Sequence, residues 1–319
     1  MLCALALDLG GTSAKIALVS EAGVVLAQEI VPTPASMDPL EVMRPFVETG
    51  QRLRAAAAGD ALTVVAVGCG VPGDLDPTRT RVLFNNIHAL DGFALAPWLS
   101  EQFGLPVSLD NDACAAAFGE TALMDTGGAR RVLFVTVGSG IGVVLVVDGA
   151  VVRLFEGVTG DASHILVDHL SQERCQLGCR GCLETVASAL AIERAGRRAA
   201  IEGRSPRLAK ELRAKGDLTG ADVSAAAAGG DLIARAIIRE AGHWLGIGLA
   251  SLAPIYLPEL VLLGGGVAEA GEEWMAAVAG ALREYGLPHY AGGTVVRQAA
   301  LGNQAGVIGA GLLALREAK

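Results

Sequence analysis

A strand followed by a glycine-rich turn and two further strands occurs twice in this chain, and the repetition restricts the fold more than any other feature. The first copy covers residues 5–27, with Gly10 and Gly11 in its turn. The second covers residues 132–152, with Gly138 and Gly140 at the matching place. Self-similarity of this kind predicts two related halves built from one unit.

A second pair of apolar strands supports the duplication. Residues 63–73 and 259–267 are each apolar and end in glycines, which is typical of strands. The strand at 259–267 lies farther from the second glycine turn than the strand at 63–73 lies from the first. We therefore expect an insertion in the second half, formed by the cysteine-rich loop and a helical region at 189–242. Periodicity predicts further helices, and Thr219 is a candidate N-cap. These helices cover residues 38–58, 113–124 and 220–228. Alternating strands and helices indicate α/β sheets that bind ligands at the carboxyl ends of strands, between the halves.

Composition and charge exclude several functional classes. The 319 residues are 52% hydrophobic, enough for a large core, and the net charge of −9 argues against nucleic acid and anionic membranes as partners. The N-terminus lacks the basic segment of a signal peptide. The most apolar region, 241–267, is interrupted by Pro254 and Pro258 and predicts a buried helix followed by a strand. We expect a cytoplasmic protein that binds small molecules.

Three of the six cysteines lie within eight residues, and a histidine precedes them. Cys175, Cys179 and Cys182 with His164 offer three thiolates and an imidazole, a donor set that suits a structural zinc ion. Redox thiols, a disulfide or cysteines without a common role are the alternatives. Glu184 follows the cluster closely, so that a bound metal could hold this acid in a fixed position.

The glycine turns are candidate phosphate sites. Asp8 closes a strand just before Gly10 and Gly11, where bare backbone lets phosphate oxygens approach N–H groups and a carboxylate faces the accompanying cation. An ordinary hairpin with a turn acid is the alternative. The second turn, 138–142, could hold the same polyphosphate from another side. The glycines at 264–266 could lie against a nucleotide base or ribose, or could form a tight strand-to-helix turn.

The strand at 105–110 ends in a group of polar residues, Asp110, Asn111 and Asp112. A carboxylate at Asp112 beside a bound phosphate could accept the proton of an attacking hydroxyl, while the Asn111 amide orients another hydroxyl. The alternative is that Asp110 or Asp112 only caps the following helix.

Taken in order, these motifs resemble the ROK family of bacterial sugar kinases and repressors, which belongs to the actin-like ATPase group together with hexokinases. The motifs are Asp8-Leu-Gly-Gly-Thr-Ser-Ala-Lys15, Asn111-Asp112-Ala113, Gly138-Ser-Gly-Ile-Gly142, His164 with the cysteine loop ending at Glu184, Leu263-Gly-Gly-Gly266 and Ala305-Gly-Val-Ile-Gly-Ala310. The resemblance covers nearly the whole chain.

The resemblance implies a fold of two duplicated actin-like ATPase (ribonuclease H-like) α/β domains with a cleft between them and a zinc loop inserted in the second. A small domain would cover residues 1–112, rejoined by a C-terminal helix at about 301–319. A larger domain would cover 113–300 and carry the zinc loop and a dimerisation surface. Homodimers are usual in this family.

The resemblance also implies an activity, ATP- and Mg²⁺-dependent phosphorylation of the 6-hydroxyl of a hexose, glucose first. Asp112 would be the general base. The implied sugar-binding residues are Gly73, Asn111, Asp112, Asp161, His164 and Glu184, and the implied nucleotide-binding residues are Asp8, Gly10, Gly11, Thr12, Lys15, Gly138, Ser139, Gly140, Gly264, Gly265 and Gly266.

Two alternatives stay open beside a glucose kinase. One is a kinase for N-acetylmannosamine or another aldose or ketose. The other is a non-catalytic sugar-sensing regulator, although family repressors carry a DNA-binding segment before the first glycine motif and only seven residues precede Asp8 here.

The chain departs from the family pattern at several places, among them Cys114, Val143 and Val144, and two further departures bear directly on the expected sugar and zinc sites. Asp161 and Ser163 stand where a sugar-binding glutamate and a glycine are usual, which leaves the sugar open. Leu177 stands where the family has its second cysteine, and Cys179 follows two positions later, so we expect a zinc loop with an altered path.

Overall fold

The computed structural model describes residues 1–59, 61–154 and 160–318. The chain forms two compact units. The first unit comprises Met1–Gly127, Val146–Gly160 and Asn303–Lys319, and the second unit comprises Gly128–Leu145 and Asp161–Gly302. The domain boundaries implied by the family resemblance, 1–112 with about 301–319 and 113–300, remain a prediction.

The first sheet has five strands in the order β3-β2-β1-β4-β7. Its strands are β1 Leu2–Asp8, β2 Ser13–Ser20, β3 Val25–Pro32, β4 Thr63–Val71 and β7 Val107–Asn111. Strands β1, β2 and β3 form an antiparallel meander, whereas β4 runs parallel to both β1 and β7. A small separate ribbon pairs β5 Asp74–Leu75 with β6 Val82–Phe84.

The second sheet repeats this plan in the order β10-β9-β8-β11-β12. Its strands are β8 Arg131–Val137, β9 Ile141–Val147, β10 Ala150–Val151, β11 Leu260–Gly264 and β12 Val295–Gln298. Strand β11 runs parallel to β8 and β12, as β4 does to β1 and β7. The common strand order confirms the predicted duplication and the α/β class.

The structure has helices where the sequence predicts them, and further helices, such as Leu95–Phe103 and Glu272–Tyr285, where it predicts none. The helices are α1 Pro39–Gly59, α2 Leu95–Phe103, α3 Asp112–Leu123, α4 Leu183–Ala187, α5 Ala189–Ile201, α6 Pro206–Lys215, α7 Gly220–Ala228, α8 Leu232–Tyr256, α9 Glu272–Tyr285, α10 Pro288–Ala291 and α11 Ala305–Glu317. Thr219 caps α7 in a reciprocal capping box with Asp222. The apolar region 241–267 contains the second half of α8 and then strand β11, as expected.

Helix α11 packs on the first unit through its small residues. A Cβ at Gly309 would lie 1.7 Å from the carbonyl oxygen of Ala115 in α3, and one at Gly68 in β4 would lie 1.9 Å from the carbonyl oxygen of Ala310. Glycine therefore lets helix and sheet approach each other closely. Within residues 1–59, 61–154 and 160–318, no helix has the length and apolar character needed to cross a membrane.

Candidate active site

The parallel strands of the first sheet bring the predicted acidic residues to one edge. In the β1–β4 register Asp8 lies opposite Gly70, and in the β4–β7 register Gly70 lies opposite Asp110. Strand β7 ends at Asn111 and helix α3 begins at Asp112. Because carboxyl ends of parallel strands share an edge, this is where an α/β sheet binds its ligands.

The side chain of Asn111 connects α3 to the turn after β4. Its oxygen caps α3 by accepting hydrogen bonds from the backbone N–H groups of Ala113 (3.0 Å) and Cys114 (3.2 Å). Its nitrogen donates to the carbonyl of Gly73 at 2.9 Å. The N-cap is therefore Asn111, and the alternative that Asp110 or Asp112 serves as the N-cap is wrong.

Gly73 can only be glycine in this conformation. Its φ is +92°, and a Cβ would lie 2.1 Å from the carbonyl oxygen of Phe84. A left-handed turn without a side chain thus directs the Gly73 carbonyl to Asn111.

Asp112 carries a perturbed carboxyl group. Burial, with a further contribution from the negative charge of Asp8, raises the pKa of Asp112 from 3.8 to about 6. Above that pH it is a carboxylate of raised basicity, suited to accept a proton from a hydroxyl.

Asp110, which precedes Asn111 and Asp112, belongs to a charged cluster that the sequence did not predict. Asp110 is 1% exposed. Its carboxylate accepts a hydrogen bond from Arg153 at 2.5 Å and has Arg79 3.5 Å away. Arg79 also binds Glu317 of α11 at 2.6 Å. Burial raises the pKa of Asp110, while the two guanidinium groups oppose the shift. No local sequence signal links residues so far apart in the chain.

The first glycine turn is held by residues of its own meander. Asp8 forms an ion pair with Lys15, its cross-strand partner, at 3.0 Å. The Thr33 hydroxyl donates to the Gly10 carbonyl at 2.6 Å, and the Thr33 N–H donates to the Thr12 carbonyl. A Cβ at Gly10 would lie 2.8 Å from the Ser13 carbonyl oxygen, whereas the space at Gly11 is open.

The second glycine turn is held from outside its meander. The Glu184 carboxylate of α4 accepts a hydrogen bond from the Ile141 N–H at 3.1 Å. The Ala189 N–H of α5 donates to the Gly138 carbonyl at 2.8 Å. A Cβ at Gly140 would lie 2.5 Å from Glu184 Oε2, so this glycine makes room for the acid. Ser139 lies between the two glycines. The structure thus brings Glu184 together with the predicted phosphate turn.

The third glycine motif lies beside that turn. Gly264 is opposite Thr136 in the β8–β11 register. Gly265 has φ +80°, and a Cβ there would lie 2.5 Å from the Val137 carbonyl oxygen. A short 3₁₀ helix begins at Gly266, where the space for a Cβ is open. The motif is therefore a tight strand-to-helix turn with exposed backbone at its end.

The predicted metal ligands come together in the second unit. One ligand atom from each of His164, Cys175, Cys179 and Cys182 lies within 4.8 Å of every other. The His164 Nδ1 is 3.0 Å from the Cys179 sulfur and 3.5 Å from that of Cys175. Cys179 supplies the third thiol of the cluster. Leu177, which stands where the family has a cysteine, is 60% exposed.

The chemistry of this cluster fits a metal cation. The Cys175 and Cys179 sulfurs are 3.0 Å apart, beyond the roughly 2.05 Å of a disulfide bond. Burial and the adjoining thiols of Cys175 and Cys182 raise the pKa of Cys179 to about 12. Three thiolates so close together need a positive charge among them, and three sulfurs with one imidazole are a donor set of structural zinc.

The residues that depart from the family pattern contact each other beside the cluster. The Ser163 hydroxyl donates to Asp161 at 2.7 Å, and the other carboxylate oxygen lies 3.3 Å from His164 Nε2. The Asp161 side chain is 62% exposed. It therefore faces solvent while lying against the histidine whose Nδ1 faces the thiols.

Known proteins match the chain over almost its full length. The family model described as "ROK family" matches residues 4–317. A glucokinase of Halalkalibacterium halodurans is 32% identical over 96% of this chain and 93% of its own. A ROK family glucokinase from Streptomyces griseus, solved with glucose and AMPPNP, is 31% identical with a TM-score of 0.83 over 98% and 99% of the two chains. A ROK hexokinase from Thermus thermophilus is 32% identical with a TM-score of 0.80 over 99% and 98%. The protein belongs to the ROK family.

Proposed function

We propose that this protein is an ATP-dependent hexose kinase that phosphorylates the 6-hydroxyl of glucose. The observation that carries the proposal is the Asp112 carboxyl at the carboxyl edge of the first sheet, whose pKa is raised to about 6. Membership of a family with glucokinases of about 30% identity and full-length coverage supports it.

In the proposed reaction Asp112 accepts the proton of the sugar 6-hydroxyl as that oxygen attacks the γ-phosphorus of ATP. The new O–P bond forms, the bond to the β-phosphate oxygen breaks, and the products are hexose 6-phosphate, ADP and one proton. Asn111 orients a neighbouring hydroxyl. Its bonds to α3 and to Gly73 restrict its side chain, which supports a positioning role.

The remaining sugar and nucleotide contacts are proposed for groups other than Asp112 and Asn111. Glu184, His164 and Asp161 bind sugar hydroxyls, and the Gly73 backbone contributes. The proposed phosphate and nucleotide ligands are Asp8, Gly10, Gly11, Thr12, Lys15, Gly138, Ser139, Gly140, Gly264, Gly265 and Gly266. The open space at Gly11, Gly138 and Gly266 supports close approach of a ligand to their backbone. Mg²⁺ bound with ATP would neutralise charge on the transferred phosphoryl group.

Zinc is proposed for the cluster of His164, Cys175, Cys179 and Cys182, one ion per chain. Four protein ligands close the coordination shell, so the ion would be structural and would fix the loop that precedes Glu184. A homodimer and a cytoplasmic location, expected from the sequence and the family resemblance, remain part of this proposal.

The test is phosphate transfer from ATP and Mg²⁺ to a panel of glucose, mannose, fructose, allose and N-acetylmannosamine. We expect the highest kcat/KM with glucose. A preference for N-acetylmannosamine would move the assignment to that sugar, and turnover with none of the panel together with measurable sugar binding would favour a sensor.

A further inference from the structure

Glu184 lies at the junction of two proposed ligand sites. It is a proposed sugar ligand, yet its carboxylate accepts the Ile141 N–H at the end of the second glycine turn, 3.1 Å away. Gly140, in the middle of the turn, has no side chain where Oε2 would be 2.5 Å from a Cβ. The carboxylate therefore fills the place beside the turn that any other residue at 140 would occupy.

The segment that carries Glu184 supports the turn at two points. Besides the Glu184 contact, the Ala189 N–H holds the Gly138 carbonyl at 2.8 Å. Arg194 also holds this segment, because its guanidinium donates a hydrogen bond to the Thr185 carbonyl at 2.6 Å. The segment begins directly after Cys182, a donor of the metal cluster. A displacement of Glu184 is thus transmitted to the backbone of the turn.

We propose that Glu184 is a positioning residue for the glycine turn 138–141, so that sugar and nucleotide bind cooperatively. The inference rests on the proposed function. Contacts of the carboxylate with sugar hydroxyls would restrict the Glu184 side chain and, through Ile141, the turn that receives the phosphates. The second ligand then loses less conformational freedom on binding. The coupling is reciprocal, as binding free energies require.

The experiment measures the Kd of a non-hydrolysable ATP analogue with Mg²⁺, by calorimetry, without glucose and with saturating glucose. For the wild type we expect a ratio of the two Kd values of about tenfold, within the usual range of coupling energies. Gly140→Ala adds a methyl group against Oε2, and Glu184→Asp shortens the side chain by one methylene. Either variant should bring the ratio close to one.

Gly280→Ala in α9 of the same unit is the control. It adds a methyl group where a Cβ meets no atom within 4 Å and lies outside the proposed ligand sites, so both Kd values and their ratio should stay like those of the wild type. A wild-type ratio of one, or an unchanged ratio in both Gly140→Ala and Glu184→Asp, overturns the inference. Either result leaves the kinase assignment intact if glucose is phosphorylated. Absence of transfer to any sugar refutes the function instead.

Discussion

The two glycine turns occupy the same place in two sheets of the same strand order, but they are supported differently. In the first, the strand before the turn ends in Asp8, which pairs with Lys15 of the next strand. Counted from the first glycine of each turn, the matching residues in the second are Thr136 and Val143. The second turn lacks both charges, and the acid beside it is Glu184 from α4.

This difference suggests different roles for the two turns. The first turn keeps its acid within the meander, on the sheet edge that also carries Asp112. The acid beside the second turn, Glu184, lies in the segment that follows the cysteine-rich loop. We therefore propose proton transfer for the first unit and positioning of the glycine turn for the second, and each proposal can be tested separately.

The largest effect is expected from Asp112→Asn, which removes the base from the first unit. Because general-base catalysis contributes typically 10²–10⁴-fold, we expect kcat to fall by about 10³ with KM for glucose changed less than about fivefold. Steady-state kinetics measure both constants. Asp217→Asn, an exposed carboxylate paired with Arg197 in the second unit, is the control and should keep full activity.

The free energy of unfolding of Asp112→Asn provides a second test of the Asp112 assignment. The pKa of Asp112 is higher in the folded state than its ordinary value of 3.8, so folding favours the protonated form. The contribution of this preference to the free energy of unfolding is fully present below pH 3.8 and is lost as the pH rises through about 6. At pH 8 the free energy of unfolding of Asp112→Asn should exceed that of the wild type by about 1 to 2 kcal/mol. Loss of stability together with loss of activity would instead indicate damage to the fold.

Cys179→Ser should disturb the second turn and leave the first intact. Loss of one thiolate should lower zinc affinity by about 100-fold or more, because the cluster would keep only three strong ligands. Elemental analysis after dialysis against a chelator measures this loss, and calorimetry should show weaker nucleotide binding. Cys3→Ala, a buried cysteine of the first unit, should retain zinc. Full zinc occupancy in Cys179→Ser would refute the proposed ligand set.

The acid limb of the pH–rate profile tests the link between Asp8 and Asp112. Asp112 must be ionised to accept a proton, so kcat/KM should fall about tenfold per pH unit below about pH 6. Burial is the main cause of the raised pKa of Asp112, and the negative charge of Asp8 adds to it. Asp8→Asn removes that second contribution, so the midpoint should move down by about half a pH unit to one unit. Glu41→Gln, an exposed acid of the same unit, should leave it unchanged. An upward shift in Asp8→Asn would contradict the link.

The smallest expected effect is the difference in stability between alanine variants of Gly10 and Gly138. Gly10→Ala brings a Cβ to 2.8 Å from a backbone carbonyl oxygen and should reduce the free energy of unfolding by about 1 to 3 kcal/mol. Gly138→Ala meets open space and should change it by less than about 0.5 kcal/mol. Urea denaturation of both variants measures the difference. Equal losses would mean that the two turns are built alike after all.

Local patterns in the sequence were enough to predict the repeated meander, helices α1, α3 and α7, and the cluster of candidate metal ligands, but not helices α2 and α9. Gly10, Gly138 and the three clustered cysteines each mark a turn or a loop within a few neighbours. Contacts between distant segments were not predictable: the ion pairs of Asp110 with Arg153 and Arg79, and the bond from Glu184 to Ile141, depend on the folded arrangement. The capping role of Asn111 was missed because either neighbouring aspartate has a side chain of equal capping ability.

The most direct test of the account is the position to which phosphate is transferred. With ATP, Mg²⁺ and ¹³C-labelled glucose, nuclear magnetic resonance of the product should show phosphorus coupled to C6, with one ADP formed per sugar phosphate. The 6-deoxy sugar should not react. Phosphorylation at C1, equal reaction of 6-deoxyglucose, or no transfer from ATP to glucose would contradict the proposed function.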